Sequence, residues 1–245
     1  MRYLILADIH GNLPALEAVL ADAQLQRFDQ MLLLGDLVGY GAEPNQVIAR
    51  LAGAPIAATV RGNHDKVAAG VDDAEAFNPI ARQGVAWTRL ALTPASADVI
   101  RALPLGPVSV TDWIEICHGS PYDEDAYVLD PLDALNAIRA AHRPLCLYGH
   151  THAPMAVYFA DNELHYLETT PGSVMRIEPG RPHLVNVGSV GQPRDGDPRA
   201  AYGIADDVQR TVSFFRVPYD VAAAQRAIRD AGLPDAISAR LALGR

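Results

Sequence analysis

Basic residues are scarce in this sequence. Its 245 residues include 20 lysines and arginines against 29 aspartates and glutamates, the formal net charge is −9, and Lys66 is the only lysine. A protein that tracks along nucleic acid needs a clustered basic surface, and no such cluster occurs. We therefore predict no extended nucleic-acid surface. A small anionic substrate remains compatible with this charge, because bound divalent cations reverse the local sign.

Long apolar runs and paired cysteines are lacking as well. No stretch approaches the roughly 18 apolar residues of a membrane span, so we predict no membrane segment. The short apolar start ends at Asp8, which is typical of a first strand rather than a signal peptide. The two cysteines, Cys117 and Cys146, lie in apolar stretches, which indicates buried free thiols in a reducing compartment. We predict a cytoplasmic protein.

Strand-like and helical patterns alternate in the first 60 residues. Apolar runs at 2–7, 30–34 and 55–60 flank helical spacings that begin after Asn12 and at Pro44. This order predicts parallel strands with right-handed crossovers, and ligands bind beyond the carboxyl ends of such strands. We expect the run at 55–60 to be a buried strand.

The remainder of the chain changes character. Residues 66–103 carry no strand signal and two helical patterns, so this insertion is expected either to cover the site as a lid or to pack helices on the sheet. From residue 108 onward, short strand-like runs predominate, with a hairpin signal at Asp161-Asn162. Asp130 can cap a helix that starts at Pro131, and we expect its Leu132, Leu135 and Ile138 to face inward. The pattern predicts a single α/β (α+β) domain, residues 1–245, with two packed sheets and helices outside.

Five short runs place metal-ligand side chains directly after apolar stretches, and they contain five of the eight histidines. The runs are Asp8-Ile9-His10, Gly35-Asp36, Arg61-Gly62-Asn63-His64-Asp65, Cys117-His118 and Gly149-His150-Thr151-His152. Asp8 and His10 are two residues apart on what we expect to be extended chain, as are His150 and His152. Each pair should therefore point to one side.

Two divalent ions about 3.5–4 Å apart can clamp the attacking and leaving oxygens of a phosphoester displacement. The set of ligands predicted here has seven members: Asp8, His10, Asp36, Asn63, His118, His150 and His152. Asp36 suits the bridging position. Mixed oxygen and imidazole ligands favour Mn²⁺, Fe, Zn²⁺, Ni²⁺ or Co²⁺ over Ca²⁺ or Mg²⁺, and Mn²⁺ is our first candidate. A water bridging such ions is hydroxide near neutral pH and attacks phosphorus, while His64 protonates the leaving oxygen as a general acid.

In this order the runs resemble the calcineurin-like metallophosphoesterase superfamily, whose blocks are D-x-H, GD, GNH-D/E, H and GHxH. The resemblance spans Asp8 to His152. It implies a four-layer α-β-β-α sandwich of two mixed sheets, with the metal site at the carboxyl ends of strands and His64 as the catalytic histidine. It also implies that one ion is held by Asp8, His10, Asp36 and His152. The other ion would be held by Asp36, Asn63, His118 and His150.

The sequence also departs from parts of this superfamily. Residues 186–194 resemble the small bacterial phosphodiesterase branch. Tyr40 stands where the protein serine/threonine phosphatases have a phosphate-gripping arginine, and Gly39 stands where they have an aspartate that orients the catalytic histidine. Phosphoprotein phosphatase activity is therefore not expected. Arg194 or Arg199 could supply the missing substrate contact, and we choose Arg194; the alternative is a solvated loop arginine.

The sequence thus predicts a dinuclear-metal-dependent phosphoesterase that acts on a small phosphodiester or nucleotide-type substrate. A phosphomonoesterase with the same site is the alternative. A non-catalytic metal-binding scaffold, like the retromer subunit of this fold, is disfavoured by the complete ligand set, and a nuclease by the acidic charge. The acidic run Asp123-Glu124-Asp125 is interpreted as a solvated loop. The substrate and the oligomeric state are not predicted.

Overall fold

The structure, a computed structural model, describes residues 1–245 and contains twelve strands and eight helices. The strands are β1 (Arg2–Leu6), β2 (Gln30–Leu33), β3 (Ile56–Thr59), β4 (Val108–Ser109), β5 (Ile114–Ile116), β6 (Leu145–Tyr148), β7 (Met155–Ala160), β8 (Glu163–Tyr166), β9 (Val174–Arg176), β10 (His183–Asn186), β11 (Ala200–Asp206) and β12 (Thr211–Val217). The helices are α1 (Leu13–Gln26), α2 (Pro44–Leu51), α3 (Asn63–Ala68), α4 (Pro79–Ala91), α5 (Pro94–Arg101), α6 (Pro131–Ala140), α7 (Val221–Asp230) and α8 (Asp235–Leu241).

The strands form two six-stranded mixed sheets. The first has the order β3-β2-β1-β11-β12-β9, and its β1, β2 and β3 are parallel while the other three pair antiparallel. The second has the order β4-β5-β6-β10-β7-β8, with β5, β6 and β10 parallel in the middle. The predicted α/β sandwich with two mixed sheets is therefore confirmed.

Alternate side chains of β1 pack into two different apolar layers, one on each face of the first sheet. Leu4 and Leu6 pack in an apolar cluster with the helices α1 and α2. Tyr3 and Ile5 face the opposite way, into a cluster between the sheets that also contains Ile114 of β5. Because successive side chains of a strand point to opposite faces, a strand buried on both faces reads as a continuous apolar run. A third cluster, beneath α6, covers the outer face of the second sheet.

Local signals in the sequence set the helix starts. Asn12 caps α1, since its side-chain oxygen accepts a hydrogen bond from the amide of Ala15 at 3.2 Å, and Asp130 caps α6 in the same way. Proline occupies the first turn of α1, α2, α4, α5 and α6, where its missing amide proton costs nothing. The two predicted helices of the insertion are α4 and α5. The hairpin at Asp161-Asn162 joins β7 and β8.

Two expectations about burial are wrong. The run at 55–60 forms an edge strand, because β3 pairs with β2 alone, and Ile56 is 36% exposed. In α6 the buried face is made by Ala134, Ala137 and Ile138, while Leu132 is 63% exposed. Apolar character alone did not identify which residues meet the sheet.

No helix of the structure is both long and apolar enough to cross a membrane. Cys117, which directly follows β5, and Cys146 of the neighbouring β6 are free and buried, as expected, with their sulfur atoms 3.7 Å apart. The cytoplasmic location stays a prediction from the sequence.

Candidate metal centre and catalytic site

The seven predicted ligands collect at one edge of the sandwich. Asp8 and His10 follow β1, Asp36 follows β2, and Asn63 opens α3 after β3. From the second sheet, His118 follows β5, while His150 and His152 follow β6. The carboxyl ends of parallel strands from both sheets therefore supply the site, as expected for α/β sheets.

The side chains form two buried groups that share one carboxylate. In each group, the candidate ligand atoms lie within 4.8 Å of one another. The first group is Asp8, His10, Asp36 and His152, and the second is Asp36, His118 and His150. The side-chain oxygen of Asn63 lies 3.3 Å from Nε2 of His118, beside the second group. The structure thus brings all seven residues together, and their role as ligands remains a prediction.

The backbone at this edge is unusual. Five of the seven residues have a left-handed φ, between +52° and +67°: Asp8, His10, Asp36, His150 and His152. Such values are uncommon for residues other than glycine, and sparsely populated conformations cluster at functional sites. The expectation of extended chain at these positions is wrong. Tight left-handed turns at the strand ends make the side chains converge.

His10 and His152 face each other with unshared electron pairs. Nδ1 of His10 lies 3.1 Å from the carbonyl oxygen of Val38, and Nδ1 of His152 lies 2.6 Å from that of Gln192. A carbonyl oxygen only accepts, so both Nδ1 atoms carry the proton. The two Nε2 atoms are 3.1 Å apart, and burial lowers the pKa of both rings well below the usual value. Two facing lone pairs repel each other unless a cation lies beside them.

His118 and His150 form a second close contact between imidazole nitrogens, and here one of the two rings is protonated. Nδ1 of His118 donates to the carbonyl of Leu34 at 2.7 Å, and Nε2 of His150 donates to the carbonyl of Asp125 at 3.1 Å. The remaining nitrogens, Nε2 of His118 and Nδ1 of His150, are 3.1 Å apart. Burial lowers the pKa of His118, but the Asp36 carboxylate outweighs it and raises that pKa to about 10. Without a metal, a proton is therefore held where a cation fits.

The two carboxylates are as deeply buried as the imidazoles. Burial raises the pKa of Asp8 to about 7, and the amide of His150 donates to both of its oxygens, at 3.0 and 3.2 Å. Burial also disfavours the charge on Asp36, but His118, His64 and His10 outweigh it and hold its pKa well below the usual value. Buried carboxylates need partners of opposite charge. The donor set of carboxylate and imidazole suits a divalent transition-metal ion.

His64 lies against this cluster and is held by packing. Its amide donates to Oδ1 of Asp36 at 2.9 Å, and its ring contacts Tyr40, Phe77 and His10 at centroid distances of 4.4, 4.7 and 4.9 Å. Nδ1 is buried without a hydrogen-bond partner. A Cβ at Gly39 would lie 2.5 Å from this atom. The glycine found in place of an orienting aspartate therefore makes room for the ring. Burial lowers the pKa of His64 to about 4.

Arg194 lies beside the first group of ligands. Its amide donates to the carbonyl of His152 at 3.1 Å, and its guanidinium donates to Oε1 of Gln192 at 2.9 Å. The guanidinium lies 5.8 Å from the centre of the Tyr40 ring, and its Nε is buried without a partner. Arg199, by contrast, is paired with Asp197. Of the two arginines weighed for a substrate contact, Arg194 is the one that adjoins the cluster.

A network of charged side chains next to His150 was not predicted from the sequence. Nζ of Lys66 lies 2.5 Å from Asp125, 3.0 Å from Asp72 and 3.2 Å from Glu124, and Glu124 accepts two 2.8 Å hydrogen bonds from Arg61. The interpretation of this acidic run as a solvated loop is wrong for Glu124, which is largely covered. The only signal in the sequence was that the single lysine directly follows a motif.

A cavity of about 320 Å³ opens beside Asn63, His64 and His150. The insertion contributes Asp72, Asp73 and residues 75–78 to its lining. Organic substrates typically bind in cavities of this size that lie next to convergent polar groups.

Comparisons with known proteins agree with this geometry. A family model for the calcineurin-like phosphoesterases matches residues 1–172. An uncharacterized protein of Methanocaldococcus jannaschii is 30% identical, over 98% of this chain and 97% of the relative. A metallophosphoesterase from Sphaerobacter thermophilus is 38% identical, with a TM-score of 0.85 over 100% of this chain and 99% of that one. A hypothetical protein from Pyrococcus horikoshii shares the fold, with 21% identity and a TM-score of 0.78 over 100% and 98% of the chains.

Proposed function

Because this chain belongs to the calcineurin-like phosphoesterase family, we propose that it hydrolyses phosphodiesters with two divalent metal ions. The observation that carries the proposal is the pair of opposed imidazole contacts. His10 faces His152 across 3.1 Å with nitrogen lone pairs opposed, and His118 faces His150 across 3.1 Å with a proton held on His118 where a cation fits. Each contact calls for a cation, and the shared carboxylate of Asp36 lies between them.

The proposed ligand sets follow the two groups of side chains. One ion would be held by Asp8, His10, Asp36 and His152, and the other by Asp36, Asn63, His118 and His150. When bound, such ions neutralise phosphate charge and make water more acidic. Mn²⁺ is the proposed metal, because the ligands combine oxygen with imidazole and include no thiolate.

His64 is proposed to supply the proton for the leaving group. In the reaction the oxygen of one water joins phosphorus, the ester P–O bond breaks, and the departing oxygen takes a proton from His64. The proton that the water releases then returns the ring to its charged form. Burial holds this ring neutral at neutral pH. An anionic ester bound beside it would favour protonation, since a nearby opposite charge stabilises the charged form. Because the proton is donated to bound substrate, the His64 ring needs its positive charge only after the substrate has bound.

A diester is favoured over a monoester by the small number of free cationic side chains. A phosphodiester carries one negative charge, and a phosphomonoester carries nearly two at neutral pH. Arg194 is the guanidinium next to the ligand cluster, whereas Lys66 is occupied by three carboxylates. Tyr40, at the position where phosphatases have an arginine, adds no charge. We assign Arg194 to a contact with an ester oxygen.

Residues 1–245 are proposed to act as one domain. β1, near the N-terminus, pairs with β11, so early and late parts of the chain share a sheet. The proposed ligands follow strands of both sheets. The insertion at 66–103 would partly cover the site, because Asp72, Asp73 and residues 75–78 line the adjoining cavity.

The test compares a diester with a monoester. The full chain, purified with and without Mn²⁺, would be given bis-p-nitrophenyl phosphate and p-nitrophenyl phosphate. We expect Mn²⁺-dependent cleavage with a higher kcat/KM for the diester. Faster monoester cleavage would move the protein to the phosphomonoesterases, and metal binding without cleavage of either ester would favour a scaffold.

A further inference from the structure

The cavity beside His64 is positioned to hold the organic part of a substrate. His64 and His150 line it, together with Asp72, Asp73 and residues 75–78 of the insertion. His64 is only 4% exposed, and its Nδ1 has no partner. A group esterified to a phosphorus atom held next to these two histidines would extend into this space.

Aromatic rings form the part of the cavity nearest to the chemistry. The Tyr127 ring stacks on His150 with 3.9 Å between centroids, and the Phe77 ring lies 4.7 Å from that of His64. Tyr40 contacts His64 from another side, at 4.4 Å. An organic group entering the cavity therefore meets ring surfaces, which attract both apolar groups and cations.

The charged groups of the same cavity are predominantly acidic. Four carboxylates line it, from Asp72, Asp73, Glu75 and Asp125, against the single ammonium of Lys66. Lys66 does not neutralise Asp73 and Glu75, because Asp72, Asp125 and the adjacent Glu124 already surround its ammonium. Asp73 and Glu75 form no ion pair, and Asp73 is oriented by a 2.9 Å hydrogen bond from the amide of Glu75. The lining has an excess of three negative charges.

We propose that this cavity binds an alkylammonium group, so that the substrate is a phosphodiester of an amino alcohol or a quaternary-ammonium alcohol. Ring faces combined with carboxylates attract an alkylammonium ion. The same carboxylates repel a second phosphate, which disfavours nucleoside polyphosphates. The assignment rests on the proposed function and specifies its substrate class.

The first test measures binding alone. Dissociation constants for choline and for its uncharged isostere, 3,3-dimethylbutan-1-ol, would be measured on the full chain by saturation-transfer NMR. The two ligands differ in charge and hardly in shape. We expect choline to bind about tenfold more tightly. Equal binding of the two, or tighter binding of the neutral alcohol, would overturn the proposal.

A double variant, Asp73→Asn with Glu75→Gln, tests whether these two carboxylates of the cavity cause the preference for choline. Both side chains are exposed at the rim, so the substitutions change charge and spare the core. We expect the preference for choline to fall to about twofold or less. The matched control is Glu163→Gln, a carboxylate at the start of β8 that does not line the cavity, and it should retain the preference. Thermal unfolding of each variant verifies that it is folded; Phe77→Leu is a second variant expected to weaken choline binding.

Turnover separates this proposal from the proposed function. The substrates are p-nitrophenyl phosphorylcholine and p-nitrophenyl 3,3-dimethylbutyl phosphate. A higher kcat/KM for the choline ester, lost in the double variant, supports both proposals. Equal cleavage of the two esters leaves the phosphodiesterase standing and overturns the cationic subsite. If neither ester is cleaved while the choline preference persists in the binding test, the subsite stands and the proposed activity fails.

Discussion

Single residues at the strand ends adopt conformations that only close packing maintains. Asp8, Asp36 and His150 have φ of +54°, +52° and +67°. Their amides and side chains are bound by neighbours, as when the amide of Asp8 donates to the carbonyl of Gly35 at 3.1 Å. Each residue in such a conformation lowers the free energy of unfolding by about 1–3 kcal/mol. The surrounding sheets supply this stabilisation, and the outcome is a cluster of ligand atoms that extended strands would not bring together.

His64 is the residue on which the proposed chemistry depends most. In His64→Ala, the ligand cluster is untouched and the proton donor is gone. We expect bound Mn²⁺ to be unchanged and kcat to fall about a hundredfold or more. The loss should be largest for esters with poor leaving groups, which need the proton. Measured kcat values across a series of substituted phenyl esters check this; an equal loss for all of them would argue against the general-acid role.

Gly39 sets the position of the His64 ring. An alanine there would place its Cβ 2.5 Å from Nδ1 of His64, on backbone with φ of +100°. We expect Gly39→Ala to displace the ring and to lower kcat about a hundredfold, measured with bis-p-nitrophenyl phosphate. The control is Gly172→Ala, which has φ of +90° and nothing within 4 Å of the added Cβ. If both variants lose the same activity, backbone strain rather than ring displacement is the cause.

The side chains closest to the proposed ions were predictable, because each follows an apolar strand in a short ordered motif. The side chains that hold these ligands in place could not be predicted from the sequence. Lys66 reaches Asp125 and Glu124 across about 60 residues of sequence, and no local pattern announces an ion pair between distant segments. Tyr127, which stacks on His150, likewise follows no motif.

At the scale of elements, Lys66 of α3 ties the helix to the loop that follows His118. The carbonyl of Asp125 fixes the tautomer of His150 by accepting from its Nε2 at 3.1 Å. We expect Lys66→Met to lower the free energy of unfolding by about 2 kcal/mol, since buried charges lose their partner while the exposed ones are screened. Metal affinity should fall about tenfold or more, because residues that orient ligands commonly have this effect.

Urea unfolding and Mn²⁺ titration measure the two effects of Lys66→Met. The matched variant is Lys66→Arg, which keeps the charge but replaces a compact ammonium by a planar guanidinium. It should recover part of both losses. Unchanged metal affinity in Lys66→Met would show that the network supports the fold and does not position His150.

Asn12 connects the start of α1 to the loop that holds His152. Its side chain accepts from the amide of Ala15 and donates to the carbonyl of Gly191 at 2.9 Å. We expect Asn12→Ala to cost about 2 kcal/mol of stability, from a lost cap and a buried carbonyl left unpaired. Thr93→Ala removes the cap at the start of α5 and the contact of the same hydroxyl with Ser96, without a link to a distant loop; it should cost about 1 kcal/mol in the same urea unfolding experiment. Equal costs would exclude the link to the loop.

Helix positions were the most predictable elements, because proline, capping side chains and apolar periodicity coincide at their starts. The position of a strand within its sheet was harder to predict. The apolar composition of residues 55–60 fits an inner strand, yet β3 is an edge strand whose outer side meets solvent. Composition records a tendency to form a strand, and the position within the sheet depends on partners distant in sequence. The short α3, which begins inside a ligand motif, was not predicted for the same reason.

Across the whole molecule, the proposed metal site joins the two sheets. Asp8 and Asp36 extend from the first sheet, and His118 and His150 from the second. Ions that bind the folded chain alone stabilise it by about 2.7 kcal/mol at a hundredfold excess over the dissociation constant. We therefore expect chelation to lower the melting temperature measured by calorimetry, and added Mn²⁺ to restore it. A melting temperature that is insensitive to chelator would contradict metal binding between the sheets.

The number of bound ions tests the central claim most directly. The full chain and the Asn63→Ala variant would be saturated with Mn²⁺, freed of excess by gel filtration, and analysed for metal by mass spectrometry. We predict two ions per chain in the parent protein and about one in the variant, because Asn63 adjoins only the His118 group. One ion or none in the parent protein would contradict the two-metal account, and two ions retained by Asn63→Ala would contradict the assignment of Asn63 as a ligand.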